Sequence, residues 1–280
     1  VDTVARVVGG RLGSQLGQPI VVENKPGANT NIGTELVAKA PADGYTLLLG
    51  STSIVTNNIL YANLPFNGLR DFAPVSRLAY APLVLVVAAN SPFKTVRDVV
   101  TAGNAKPGTL TYGSAGNGSS GQMASALFAS EAKFDALHVP YHGGAPALVD
   151  LIADRLSFML LNFVEVIQHL QSGRLRALAV TSPQRAGQLP DVPTMAEAGY
   201  PGVSVSVWWV LLAPAATPAD VIARLNAETK LALADPAVTA RLGSLGAVIT
   251  PSTTDELGAF LRSESARWER VIRAADIRGE

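Results

Sequence analysis

Two stretches of small polar residues mark where this chain could do chemistry. One is Ser51-Thr52-Ser53, which follows Tyr45-Thr46-Leu47-Leu48-Leu49-Gly50. The other follows Leu110-Thr111-Tyr112-Gly113 and runs through Ser114, Gly116, Asn117, Gly118, Ser119 and Ser120. Each reads as a strand entering a loop of Gly, Ser and Thr. Such a loop ahead of a helix exposes backbone N–H groups and hydroxyl donors, and the helix start adds partial positive charge, so it suits a carboxylate or phosphate. Taken singly, either loop is equally a strand-to-helix turn with capping residues, since turns favour these residue types. Two of them, one in each half of the fold proposed below, could hold one anion between them.

Other chemistry fails on spacing. Gly116-Asn117-Gly118-Ser119-Ser120-Gly121 has the G-x-G-x-x-G form of a dinucleotide site. The acid that should close the next strand is missing, because that strand ends in Pro140-Tyr141-His142-Gly143-Gly144 and Asp135 precedes it. The run Gly27 to Gly33 has one residue too many for a phosphate-binding P-loop and lacks its Lys. Hydrolysis by Ser119 or Ser120 would need a base within reach, and neither serine lies in G-x-S-x-G. The histidines are His138, His142 and His169. The first two fall on a strand and its following loop without a third well-spaced ligand, so hydrogen-bonded or surface histidines are expected rather than a metal site. Asn162 closes the apolar run Phe158 to Leu161, where it either reads a ligand at the strand end or caps the helix that follows. Trp208 and Trp209 should face opposite sides of an extended strand, so at most one lines a cleft.

The elements that position these residues alternate. Apolar runs bounded by Gly, Pro and Asp predict strands at 20–23, 45–50, 75–78, 83–88, 110–112, 136–140, 156–161, 177–181 and 208–213, separated by segments of helical period. This is an α/β pattern with mixed, mostly parallel sheets flanked by helices. Thr95 with Asp98, Thr217 with Pro218 and Asp220, and Thr253 with Glu256 read as helix starts. Leu257, Phe260, Leu261, Trp268, Val271, Ile272 and Ala275 form one stripe of a C-terminal helix that packs along a body, with Trp268 in the core. Two extended apolar segments, 82–91 and 208–214, are expected to cross between two lobes. Lobe I is then 1–89 with 211–280, lobe II is 90–210, and the ligand cleft lies between them.

Composition bounds the partners. At 280 residues the chain could bury roughly 73% of the surface it exposes unfolded. With 48% apolar and 16% charged residues it is neither disordered nor a coiled coil. Lys+Arg and Asp+Glu are both 22 and no run gathers five like charges, which argues against nucleic acid. Without cysteine there is no disulfide, thiolate nucleophile or iron–sulfur site. The longest apolar run, 78–89, contains Pro82 and falls short of the roughly 20 residues of a membrane-spanning helix. The chain opens Val1-Asp2-Thr3-Val4 directly into a helical pattern, so removal of a native N-terminus with its signal peptide is expected.

Longer motifs carry a resemblance. They are Val22-Glu23-Asn24-Lys25-Pro26-Gly27-Ala28, Ala40-Pro41-Ala42-Asp43-Gly44-Tyr45, Leu110 to Gly116, Val139 to Ala147, Ser172 to Thr181, and Leu189-Pro190-Asp191-Val192-Pro193-Thr194 through Gly199. In this order they resemble the Bug, or TctC-like, solute-binding proteins of tripartite tricarboxylate transport systems. The resemblance implies a two-lobed periplasmic-binding-protein fold, a small carboxylate ligand, no catalysis, no cofactor, export to the periplasm, and transient contact of a monomer with membrane transporter subunits. A ligand-sensing module for a two-component system is the alternative, and a hydrolase or dinucleotide-binding enzyme a more distant one. Capture by strand-end loops corresponds here to 51–53 and 114–120, with Tyr141 and Asn162 completing the expected contacts. Of the family's opening strand, Pro-x-x-Gly-Gly loop and Asp-x-x-Ala-Arg, only Asp2, Ala5 and Arg6 are present. Gln122 stands at a usual His, His142 at a frequent Lys and Asn162 at a frequent Asp. The last exchange suggests an organic or aromatic acid without an α-ammonium.

Overall fold

The computed structural model describes residues 1–274 and 277. In chain order the elements are α1 (Asp2–Leu16), α2 (Asn31–Ala38), β1 (Leu48–Gly50), α3 (Ser53–Leu60), β2 (Phe72–Ala88), α4 (Val96–Ala105), β3 (Leu110–Ser114), α5 (Ser120–Ala132) and β4 (Ala136–Pro140). Then come α6 (Gly144–Ile152), β5 (Met159–Asn162), α7 (Phe163–Gln171), β6 (Leu175–Val180), β7 (Ser206–Pro214), α8 (Ala219–Ala234), α9 (Pro236–Ser244), β8 (Val248–Ile249) and α10 (Thr254–Ala274). The described residues form two compact units, 1–80 with 208–272 and 81–207 with 273, 274 and 277.

In unit 1, β1 pairs antiparallel with β7, β7 neighbours β2, and β8 pairs antiparallel with β2 at Ala79 and Tyr80. Val4, Val8 and Leu12 of α1 are buried, as are Leu257, Leu261, Trp268 and Ile272 of α10. The expected C-terminal stripe is therefore a core face. Phe260 and Val271 lie at its half-buried margin, and Ala275 is outside the described residues. Trp208 and Trp209 are both buried, so neither lines an open surface. One indole packs toward α10, where Trp208 Nε1 donates to Glu264.

The expected strand at 20–23 belongs to no sheet. Its first residue packs against α1 so closely that a Cβ on Gly13 would stand 3.1 Å from the Ile20 backbone nitrogen. The expected strands 75–78 and 83–88 are one 17-residue strand, β2. Proline at 82 does not break it. Residues 83–88 are fully buried, as a strand covered on both faces must be.

In unit 2, this half of β2 pairs with β5 on one side and β6 on the other, both antiparallel. The junction between units therefore falls at Tyr80/Ala81 rather than after residue 89. β3 and β4 pair in parallel, and a parallel bridge from Tyr112 to Phe158 joins β3 to the start of β5. The order is β4-β3-β5-β2-β6. The sheets are mixed, but most of the pairings along β2 and β7 are antiparallel. Alternating strands and helices specify the local βα units and not the direction of a strand that arrives from the other unit. An aromatic cluster of Phe128, Phe134, Phe158 and Tyr200 fills the core beneath α5.

Two of the three helix starts are as the sequence predicts. Thr95 and Asp98 form a reciprocal capping box on α4, and Thr253 and Glu256 exchange the same pair of bonds ahead of α10. Thr217 does not cap α8. Its hydroxyl donates to the Pro214 carbonyl at 2.7 Å, and Pro218 occupies the cap position.

Candidate functional site

The parallel strands of unit 2 set up one candidate site. β3 leads through α5 to β4 on one side, whereas β5 leads through α7 to β6 on the other. The strand order thus reverses between β3 and β5, and open α/β sheets bind ligands at the carboxyl ends of strands at such a reversal. The strand ends there are Ser114, Pro140 and Asn162, each followed by a helix N-terminus.

The loop after β3 is built from two kinds of residue. Ser114 is fully buried, and its Oγ lies 2.6 Å from His138 Nε2 and 3.1 Å from the Gly116 N–H. His138 Nδ1 is 3.1 Å from Gln122 Nε2, which also reaches Asn117 Oδ1 at 3.5 Å. The Gln122 carbonyl accepts from the Gly118 N–H. Tyr112 stacks on the His138 ring at 5.0 Å. Burial pushes His138 down to about 4 and the Tyr112 phenol up to about 12. A neutral imidazole of such low basicity, oriented by an amide, is a poor general base. Ser114 and His138 tie the loop after β3 to β4.

What remains free is further along. Gly116 and Gly118 take φ of 122° and 77°, a backbone that turns the chain into α5. Ser119 caps α5 by accepting from Gln122 N–H. Ser120 opens the helix half-buried, and among the described residues neither its hydroxyl nor its N–H has a partner. Gly121 is held by close approach, since a Cβ there would stand 2.7 Å from the Leu160 carbonyl oxygen.

Tyr141 and Asn162 are largely committed elsewhere. The Tyr141 N–H donates to Ser114 O, and its hydroxyl donates to Asp150 at 2.7 Å. Burial and that carboxylate push its phenol up to about 12. Asn162 is the α7 cap, accepting from Glu165 N–H at 3.1 Å. Of its two possible roles the cap is the one observed, and it uses Oδ1. His142 is exposed, so His138 and His142 do not share an environment.

Unit 1 has a strand-to-helix loop of its own, Ser51-Thr52 between β1 and α3. Ser51 is half-buried with a free hydroxyl among the described residues, and its carbonyl accepts from Ile54 N–H. Thr52 is 1% exposed, yet its Oγ1 has no hydrogen-bond partner. Ser53 Oγ is 2.8 Å from Thr30 Oγ1.

That last contact exposes residues the sequence reading missed. Ala28, Asn29 and Thr30 all have positive φ, 44°, 49° and 71°. Asn57, buried on α3, pins this turn: it accepts from Asn29 Nδ2 at 2.7 Å and donates to Asn29 O at 2.8 Å and Asn31 Oδ1 at 2.6 Å. The asparagines at 29 and 31 beside Gly27 were the available signal, since Asn tolerates this backbone best after Gly. Two cavities in unit 1, of about 610 and 340 Å³, lie against Pro74, Ile222 and Arg262 and against Arg77, Ser252 and Phe260, away from these loops.

Comparison with known proteins bears on the family and the fold. The chain is 42% identical over 273 residues to a protein encoded in the tcbD–tcbE intergenic region of Pseudomonas sp. strain P51, covering 97% of this chain and 81% of that one. R. palustris Rpa4515, solved with adipate, superposes with a TM-score of 0.95 at 34% identity, over 99% of this chain and 93% of that one. The periplasmic binding protein BugD superposes with a TM-score of 0.93 at 30% identity, over 100% and 94%. The fold is the two-lobed α/β fold of periplasmic binding proteins. The profile of the tripartite tricarboxylate transporter family receptor, TctC, matches residues 4–277, and the chain belongs to that family of solute-binding receptors.

Proposed function

We propose that this receptor captures a small organic carboxylate in the periplasm and delivers it to the membrane subunits of a tripartite transporter. The observation that carries the reading is the reversal of strand order between β3 and β5, with the unpartnered N–H and hydroxyl of Ser120 beside it. A helix N-terminus with open donors favours an anion without needing a basic residue. Unit 1 by itself has a loop of the same kind, with the hydroxyls of Ser51 and Thr52 unpartnered among the described residues. Hydrogen bonds to a charged acceptor contribute about 1.5–3 kcal/mol each, so a few such donors account for micromolar binding. Adipate in Rpa4515 belongs to the same chemical class.

Thermal unfolding of ligand-stripped protein against adipate, malate, benzoate, glutamate, glucose and ATP tests this. A ligand at 100 times its dissociation constant adds about 2.7 kcal/mol, a rise of several degrees at this size. Stabilisation by acids, reduced in Ser120→Ala and Ser51→Ala, is the expected result. Stabilisation by ATP alone overturns it. Delivery is tested by uptake of the labelled acid in cells with and without the receptor: lost uptake is expected, and unchanged uptake with a lost transcriptional response would favour sensing.

A further inference from the structure

We infer that Gln122 and His138 are positioning residues of the carboxylate site in unit 2: they fix the donor and acceptor ends of the polar groups in the loop after β3, so that Asn117 keeps its amide N–H groups, and not its carbonyl, for the ligand. The inference deepens the capture reading proposed above and rests on it.

The assignment starts from one backbone group. The Gly118 N–H can only donate, and it lies 2.5 Å from one end of the Gln122 amide, so that end is the carbonyl Oε1. The other end, Nε2, then carries two N–H donors and stands 3.1 Å from His138 Nδ1. Nδ1 must accept, which places the imidazole proton on Nε2. His138 Nε2 lies 2.6 Å from Ser114 Oγ and donates to it. The same oxygen accepts from the Gly116 N–H at 3.1 Å, and its own proton goes to the Gly116 carbonyl at 3.1 Å. Ser114 is fully buried and Gln122 is 5% exposed. Inverting any one group would set two donors or two acceptors face to face away from water, so the whole chain of bonds has one polarity.

The polarity passes on to Asn117. The second N–H of the Gln122 amide reaches Asn117 Oδ1 at 3.5 Å, the longest contact of the set. The Asn117 carbonyl is thereby engaged, and Nδ2 is the end left without a partner among the described residues. Asn117 is half-buried and lies three residues before Ser120, whose N–H and hydroxyl are likewise unpartnered among the described residues. The uncommitted groups of this loop are thus N–H and O–H donors, which suit a carboxylate and not an ammonium. The amide of Gln122 is spent inside the loop, on Gly118, His138 and Asn117, so its part is to orient Asn117. His138 in turn holds the Gln122 amide in its one orientation.

Two measurements on the full chain test this. His142→Gln combined with His169→Gln leaves His138 as the one histidine. Nitrogen-15 spectra of that protein, histidine-labelled and at neutral pH, should show a protonated Nε2 and a bare Nδ1; a proton on Nδ1 overturns the inference. The second is a double-mutant cycle read by calorimetry with adipate and with malate. Asn117→Ala and Gln122→Met should each weaken binding roughly tenfold or more, and the double variant should lose no more than Asn117→Ala alone, because Gln122 acts through Asn117. Losses that add, or wild-type affinity in Gln122→Met, overturn the orienting role while leaving carboxylate capture intact. Should Gln122→Met fail to fold, the tautomer of His138 decides. If wild type binds neither acid, the capture reading and this one fall together.

Discussion

Ser114 Oγ and His138 Nε2 are 2.6 Å apart inside unit 2, with the Tyr112 ring stacked on the imidazole. The serine that ends β3 therefore faces its neighbour strand, and the loop beyond it is held from below. The Ser114 hydroxyl is thereby engaged, whereas that of Ser120 has no partner among the described residues.

The pH dependence of stability follows from the same pair. The folded chain keeps His138 neutral down to about 4, while an unfolded imidazole protonates near its ordinary 6.5. Between those values the unfolded state binds more protons, so stability rises with pH and is lost as pH falls from about 6.5 toward 4. His169 is lowered too, by burial and then by Arg174, and adds in the same direction. Unfolding midpoints taken every half unit should decline through this window. His138→Asn should flatten the decline in part and leave the His169 share.

Thr52→Val separates a structural hydroxyl from a ligand donor. The side chain is buried with an unpartnered Oγ1, so replacing it with an isosteric methyl should leave the free protein as stable or slightly more so. Binding of the acid found in the thermal screen should weaken roughly 10- to 100-fold, the value of a charge-assisted hydrogen bond. Unchanged affinity by calorimetry would remove Thr52 from the site.

Gly121→Ala tests the fit of α5 on β5. The new Cβ would stand 2.7 Å from the Leu160 carbonyl oxygen, which is backbone and cannot rotate away. A loss of about 1–3 kcal/mol is expected, read as a midpoint lowered by several degrees. A stability equal to wild type would show that the helix shifts freely.

Glu264 holds two buried indoles. Its Oε2 accepts from Trp208 Nε1 at 2.9 Å and from Trp268 Nε1 at 3.1 Å. Glu264→Leu orphans both donors and should cost about 2–5 kcal/mol in urea unfolding, whereas Glu264→Gln keeps an acceptor and should lose less. Equal losses for the two variants would mean that packing, not hydrogen bonding, holds α10 to β7.

Asn57→Leu should release the turn at 28–30. Three side-chain hydrogen bonds end at this buried amide, and three consecutive non-glycine residues depend on them for a backbone of positive φ. A loss of a few kcal/mol is expected. Hydrogen exchange should quicken at 28–34 while β1 stays protected; uniform quickening would place Asn57 in the general core instead.

Local pattern alone was enough for much of this protein. The parallel strand 136–140, the capping boxes at Thr95 and Thr253, the α10 stripe and both strand-to-helix loops follow from residue types a few positions apart, because helix and strand periods and cap chemistry are short-range. Ordered motifs along the chain were enough for the family. Tertiary structure decided what each polar residue does. Ser114 meets His138 24 residues later, Tyr141 meets Asp150 across a turn and a helix, and Asn57 meets a loop 28 residues earlier. Strand direction along β2 and the reversal between β3 and β5 likewise depend on which partner arrives from elsewhere in the chain. A serine in sequence is a donor of unknown allegiance; only the folded chain shows that Ser114 is taken, that Ser120 is free, and that Gln122 stands between Gly118 and His138.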